Sequence, residues 1–99
     1  MIVYVMVNKV TRKAYVGKTV GPLAIRMKNH IYHATKRQPT GPIQWAIARW
    51  GFDNFHVAVL GTYGSPSELD EAERSWIKQL GTKFPDGYNL TDGGDGTPG

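Results

Sequence analysis
Tyr4 and Tyr15 stand on the two arms of what reads as one short β-hairpin, in a basic stretch, residues 3–19, that contains no acidic residue. A hairpin needs apolar side chains; it does not need phenols beside cations. A tyrosine with its ordinary pKa of about 10 is a poor base at neutral pH. Lys18, Arg26 and a metal ion around it would favour the phenolate and lower that value. Glu73 is the second oddity: at about 100° per residue it falls inside the apolar arc of a helix, where a carboxylate must be paired, protonated or bound to a cation. Arg26 and His30 share a helix flank, and Asn89 sits in a turn-rich tail.

Phosphodiester hydrolysis asks for a set of this kind. It needs a base to make hydroxide, a metal to polarise the phosphate and neutralise the leaving oxygen, and a cation for the charge that builds on phosphorus. Glu73 supplies an oxygen ligand suited to Mg²⁺, which keeps several waters and takes one or two carboxylates. The planar fork of Arg26 matches phosphate oxygens.

Taken singly, each residue has an ordinary explanation. Strand tyrosines are commonly core residues with a satisfied hydroxyl, and a helix-flank histidine is more often a packing or surface group than a catalyst. "GKT" at residues 17–19 lacks the earlier glycine of a phosphate-binding loop, because position 12 is arginine. A histidine zinc site is weak too, with His56 the single third imidazole beside His30 and His33.

The elements that must position these groups follow from periodicity. Val3, Val5 and Val7 alternate with Tyr4 and Met6 along the first hairpin arm, "NKVTRK" turns the chain, and "AYVG" starts back. Pro22 opens a first helix in which Leu23, Met27, Ile31 and Ala34 form an apolar stripe. Arg26, His30, His33 and Arg37, spaced four, three and four, form a second stripe placed to grip phosphate, and Lys18, His33 and Arg37 are the expected nucleic-acid contacts. A second helix in "TGPIQWAIARWG" turns Ile43, Ile47 and Trp50 inward and stops at Gly51; "NFHVAVLGTY" then reads as a third strand. In "SPSELDEAERSWIKQLG", Ser65, Pro66 and Glu68 form a capping box and Gly81 closes the helix. Its expected buried face is Leu69, Ala72, Trp76, Ile77 and Leu80, with Glu68, Asp70 and Glu71 pointing away. In the tail, "YNL" is the part expected to pack. A domain over residues 1–92 and a flexible tail or start of a linker over 93–99 complete the organisation.

Ninety-nine residues make one small domain, and the absence of cysteine excludes disulfides and thiolate metal sites. No apolar run suits a membrane span and the N-terminus lacks a secretory leader, so an intracellular setting is the default. Residues 1–52 carry nine Lys or Arg and no Asp or Glu, whereas residues 53–99 carry three basic and eight acidic residues. Such asymmetry points to a polyanionic partner, nucleic acid first.

The sequence resembles the GIY-YIG nuclease family, named for two short strand motifs about ten residues apart. "VYV" at residues 3–5 and "YVG" at 15–17 stand for those motifs, and "RMKNH" resembles the family's helical Arg-x-x-x-His. "AIARWGFDNF", "LDEAERSWI" and "GYNLTDGG" resemble the segment before the third strand, the glutamate helix and the closing motif; the "RWGFDNF" and "GYNLTDGG" pieces are more like phage-type homing endonucleases than the excision-repair branch. Val3 replaces the motif's glycine, and Val5 and Val16 its isoleucines.

The resemblance implies an α+β fold, a small three-stranded antiparallel sheet flanked by three helices, and one Mg²⁺ or Mn²⁺ ion per site. It implies cleavage of double-stranded DNA. Glu73 would hold the metal and Arg26 would take phosphate and transition-state charge. Tyr4 and Tyr15 would activate and position water, with Tyr4 the favoured base, His30 would relay a proton or hold a tyrosine, and Asn89 would orient the glutamate or phosphate. No second domain is visible, so target selection would lie in a separate DNA-binding domain or a partner, and the oligomeric state stays open. The rivals are a non-catalytic basic binding module, with salt-sensitive binding and no cleavage, and a repair or recombination nuclease that reads branched or damaged DNA by shape.

Overall fold
Because both registers of the first strand are apolar, with valines on one side and Tyr4 and Met6 on the other, that strand can be covered on both faces, and it takes the middle of the sheet. In the computed structural model, which describes residues 1–94, β1 (Ile2–Asn8) lies between β2 (Ala14–Thr19) and β3 (Phe55–Thr62), and both pairings are antiparallel. The helices are α1 (Leu23–Thr35), α2 (Pro42–Trp50) and α3 (Pro66–Leu80), with a short 3-10 turn at Phe52–Asn54 before β3. The expected three-stranded sheet with three helices is the observed fold.

Each face of β1 has its own core. Tyr4 and Met6 pack with Met27 and Ala34 of α1, Ile43, Ala46 and Ile47 of α2, and Phe55 and Tyr88. Val3, Val5 and Val16 pack with Leu69 and Ile77 of α3 on the opposite face. The α3 N-terminus is capped as its sequence predicts: Ser65 Oγ accepts from the Glu68 N–H at 3.2 Å, while the Glu68 carboxylate accepts from the Gly64 N–H at 3.2 Å. Gly81, with φ of 65°, ends the helix in the left-handed conformation.

Four expectations need correction. The helix α1 ends at Thr35, so Arg37 lies beyond the helical stripe; its N–H still reaches the Tyr32 carbonyl at 3.2 Å. Leu80, the last residue of α3, is exposed, and Leu90 is exposed as well. Asp70 does not point into solvent: it turns toward β2 and pairs with Lys18. Of the residues expected as tail, two are described. Gly93 and Gly94 fold back on α3, while residues 95–99 of the expected tail lie outside the described residues.

The outer edge of β2 is covered by the segment around Tyr88 and Asn89. The Tyr88 N–H donates to the Ala14 carbonyl at 2.9 Å. The Asn89 side chain then imitates a strand: Oδ1 accepts from the Val16 N–H at 2.9 Å and Nδ2 donates to the Val16 carbonyl at 2.8 Å. Thr82 Oγ1 also donates to Asn89 Oδ1, at 2.7 Å. All three residues are buried, so Asn89→Ala strands the N–H and C=O of Val16 away from water. A buried group left unsatisfied costs about 1–3 kcal/mol. Denaturant unfolding should therefore show Asn89→Ala less stable by about 2–4 kcal/mol, with Asn89→Asp failing to restore stability because its carboxylate cannot donate to the Val16 carbonyl.

Candidate active site
The hairpin register decides how the two tyrosines meet. Tyr4 sits opposite Gly17 and Tyr15 opposite Met6, so both rings lie on the face that α1 covers. A Cβ at position 17 would overlap the end of the Tyr4 ring and approach Tyr15 Cε2 to 2.8 Å, so the glycine there is a condition for the Tyr4 phenol to lie across β2. The two ring centroids are 6.4 Å apart. His30 enters from α1, with its ring edge-on to Tyr15 at 5.6 Å between centroids and its Nε2 2.8 Å from the Tyr4 hydroxyl. Arg26, one turn earlier on the same helix, brings its guanidinium to bear on both Tyr4 and His30.

Glu73 arrives from the other layer. It is buried on α3, and it lines with Tyr15, His30, Ile77, Tyr88 and Asn89 one cleft of about 270 Å³. Its Oε1 accepts from the Gly94 N–H at 3.0 Å and lies 3.5 Å from Lys18 Nζ. Gly94 adopts φ of 71°, and a Cβ there would run into the Arg74 guanidinium, so this backbone clasp on the carboxylate depends on glycine.

The electrostatics set burial against the cations at Tyr4. Burial pushes the Tyr4 phenol up to about 12, outweighing Arg26, which draws it down; the Glu73 charge adds to the rise. The protein's own groups thus favour the protonated Tyr4 phenol, whereas the expected lowering also called on a metal ion. His30 is held down to about 3, first by burial and then by the charges of Arg26 and His33, and is neutral. Lys18 resists charging through burial, but its hydrogen bond to Asp70 and the Glu73 and Asp70 charges outweigh that, and its pKa is raised.

Lys18 was expected to touch nucleic acid, yet its side chain is 1% exposed and 2.5 Å from Asp70 Oδ1. Its place is behind Glu73. Asn89 is likewise engaged with the β2 backbone and acts on the cleft by fixing the strand that carries Tyr15 and Gly17. His33 is half-buried beside Tyr32, and Arg37 is exposed past the end of α1. Residues that sequence reasoning left out are Asp70, Thr82 and the clasping Gly94; Asp70, three positions before Glu73 on α3, had a detectable signal in that spacing.

Two buried nitrogens, Arg26 Nε and His30 Nδ1, lack a hydrogen-bond partner among the described residues. Such groups are uncommon in folded proteins and gather where ligands bind. No cluster of three or more His, Cys, Asp or Glu converges as a metal cage among the described residues. A single buried carboxylate opening on a cleft is nonetheless the donor that Mg²⁺ accepts while retaining water, and Glu73 is such a carboxylate. The site therefore fits a hydrated hard cation and does not fit zinc.

The burial of His30 has a measurable consequence. Its pKa lies below the ordinary 6.5, so the unfolded chain binds a proton that the folded chain refuses, and stability falls as pH drops from 6.5 toward 3. Between pH 6.5 and 5 the loss from this group is about 2 kcal/mol. Urea titrations across that range should show the slope in the parent and its absence in His30→Gln.

A hairpin carrying paired tyrosines, a helix carrying Arg-x-x-x-His and a second layer delivering one glutamate define a GIY-YIG catalytic domain, and the chain belongs to that family: the family model for the GIY-YIG catalytic domain matches residues 1–89. Among solved structures, the chain is similar to the catalytic domain of the homing endonuclease I-TevI, with 25% identity, a TM-score of 0.77, and coverage of 90% of this chain and 96% of that one. It is also similar to a glutamate-to-alanine mutant of the I-TevI catalytic domain, an intron endonuclease, at 26% identity and a TM-score of 0.79, covering 91% and 92% of the two chains. No curated protein matches significantly in sequence. Among the described residues no helix is long and apolar enough to cross a membrane.

Proposed function
We propose that this chain is the catalytic module of a divalent-metal-dependent DNA endonuclease of the homing type. The observation that carries this reading is the meeting of Glu73 with Tyr15 and His30 in one cleft, with Tyr4 and Arg26 directly behind, although these residues come from four separate elements. The likeness to the catalytic domain of a homing endonuclease supports it, as does the carboxylate-free first half of the chain.

In this mechanism Glu73 holds one hydrated Mg²⁺ or Mn²⁺. When bound, the ion polarises the phosphate and stabilises the charge on the attacking and leaving oxygens. Arg26 takes the phosphate and the negative charge that develops on it. Tyr15, which lines the cleft, orients the attacking water. Tyr4, protonated and hydrogen-bonded to neutral His30, fixes the imidazole and completes the polar wall; the phenol-to-histidine contact positions groups at rest. Lys18 and Asp70 hold Glu73 in its rotamer. His33 and Arg37 are the outer phosphate contacts in this reading. Target choice rests with a separate DNA-binding domain or partner, and one cleft cuts one strand at a time.

The test is supercoiled plasmid incubated with the 99-residue chain. Nicked circles should accumulate in Mg²⁺, vanish when a chelator is added and return when Mg²⁺ is restored. Salt-sensitive binding with no cleavage in Mg²⁺ or Mn²⁺ would instead mark a non-catalytic binding module.

A further inference from the structure
Beside the cleft lies a second, larger groove of about 970 Å³ between α2 and the turn at residues 84–90. It adjoins the cleft: Thr40, Gly41, Pro42, Tyr88 and Leu90 line both. Trp45, Phe84 and Leu90 project into it, each more than half exposed. Large apolar side chains clustered in one exposed patch mark an interaction site more often than chance exposure. Neither the fold nor the cleft chemistry uses them: Trp45 belongs to neither hydrophobic core.

We propose that this groove takes the face of a nucleobase next to the phosphate held at Glu73, on the strand being cut. The inference rests on the nuclease reading of the cleft and adds a contact to it. Three features select this occupant. The groove adjoins the cleft along five shared lining residues, which puts it within reach of a neighbour of a phosphate bound there. Its lining contains Arg49 and, among the described residues, no carboxylate, and the Arg49 guanidinium sits 5.0 Å from the Trp50 ring centroid, which keeps positive charge beside flat aromatic surface. A second copy of the chain fits less well, since a two-fold contact would set Arg49 and the carboxylate-free half against their own images.

In a relaxed duplex base faces are stacked and only edges are open. Contact with Trp45 or Phe84 thus requires one base to leave the stack, which is easiest at a mismatch or at a pyrimidine–purine step. Stacking on an aromatic side chain recovers that cost and tolerates any base. The groove would make cleavage sensitive to how readily the DNA opens beside the cut, independently of base identity.

The parent chain first maps a nick on a duplex. Duplexes carrying 5-iodouracil at successive positions around that nick are then bound to Glu73→Gln protein and irradiated. Cross-links to Trp45 or Phe84 at one position, and their loss in Trp45→Ala and Phe84→Ala, are the expected result. In cleavage assays each substitution should raise the half-saturating duplex concentration about 10-fold. A mismatch beside the nick should speed the parent and leave the Trp45→Ala/Phe84→Ala double variant nearly unmoved. Binding and cutting without those cross-links, or at parental rates in the double variant, overturn this inference alone. A parent that sediments as a dimer and a double variant that sediments as a monomer overturn it in favour of self-association. A parent that binds no duplex overturns the nuclease reading as well.

Discussion

Glu73→Gln leaves the protein folded and lowers plasmid nicking by about 10³-fold, with Arg26→Ala close behind. The carboxamide keeps the shape of Glu73 and can still accept from the Gly94 N–H, and Lys18 retains Asp70. What it loses is the charge that holds a cation. Stabilisation of transition-state charge by a metal is worth several kcal/mol, and each 1.36 kcal/mol is tenfold in rate. Arg26 is half-buried, so truncating it removes a phosphate ligand without opening the core, and its expected loss is about 10²–10³-fold. Single-turnover nicking in saturating Mg²⁺, with circular dichroism to verify folding, measures both. A folded Glu73→Gln protein that cuts at the parental rate would sink the mechanism.

The second large effect is on stability and falls on Lys18. In Lys18→Met the carboxylates of Asp70 and Glu73 lose the buried cation between them. Removing one member of a buried ion pair costs about 3–5 kcal/mol, because the remaining charge is left in a poorly solvating place. Asp70 is 26% exposed and can recruit water, so the lower end, about 3 kcal/mol, is expected. Asp70→Asn alone should cost less, since Lys18 still faces Glu73 at 3.5 Å. The double variant Lys18→Met/Asp70→Asn should be more stable than Lys18→Met, and guanidinium unfolding of the four proteins closes the cycle. Equal stability of Lys18→Met and the parent would show that the ammonium contributes nothing there. The sign with pH follows: Lys18 has a raised pKa, so its contribution is present below the ordinary 10.5 and disappears as pH rises through the folded value.

Much of the architecture is periodic, and periodicity is legible. The alternation in β1, the wheel of α1 and the Ser65-to-Gly81 punctuation of α3 fix strand, helix and buried face because side chains at period 2 or 3.6 must share one environment. The same rule isolates Glu73, an acid on an apolar arc, and the charge asymmetry between the halves names the kind of partner. The motifs, taken in order along the chain, then carry the family.

Tertiary structure decided what lies between elements. Whether the cations around Tyr4 or its burial would govern its pKa depends on depth, and the sandwich of β1 between two layers gives that answer to burial. The fate of Lys18 was set when α3 packed across β2 and brought two carboxylates to it; a lysine in a basic hairpin otherwise reads as a surface charge. Asn89 lies 73 positions from Val16, and no local pattern says that its amide will stand in for a missing strand. Residue types and spacing specify faces and local geometry, whereas desolvation and pairing belong to contacts made across the chain, and these assign each polar group its protonation and its role.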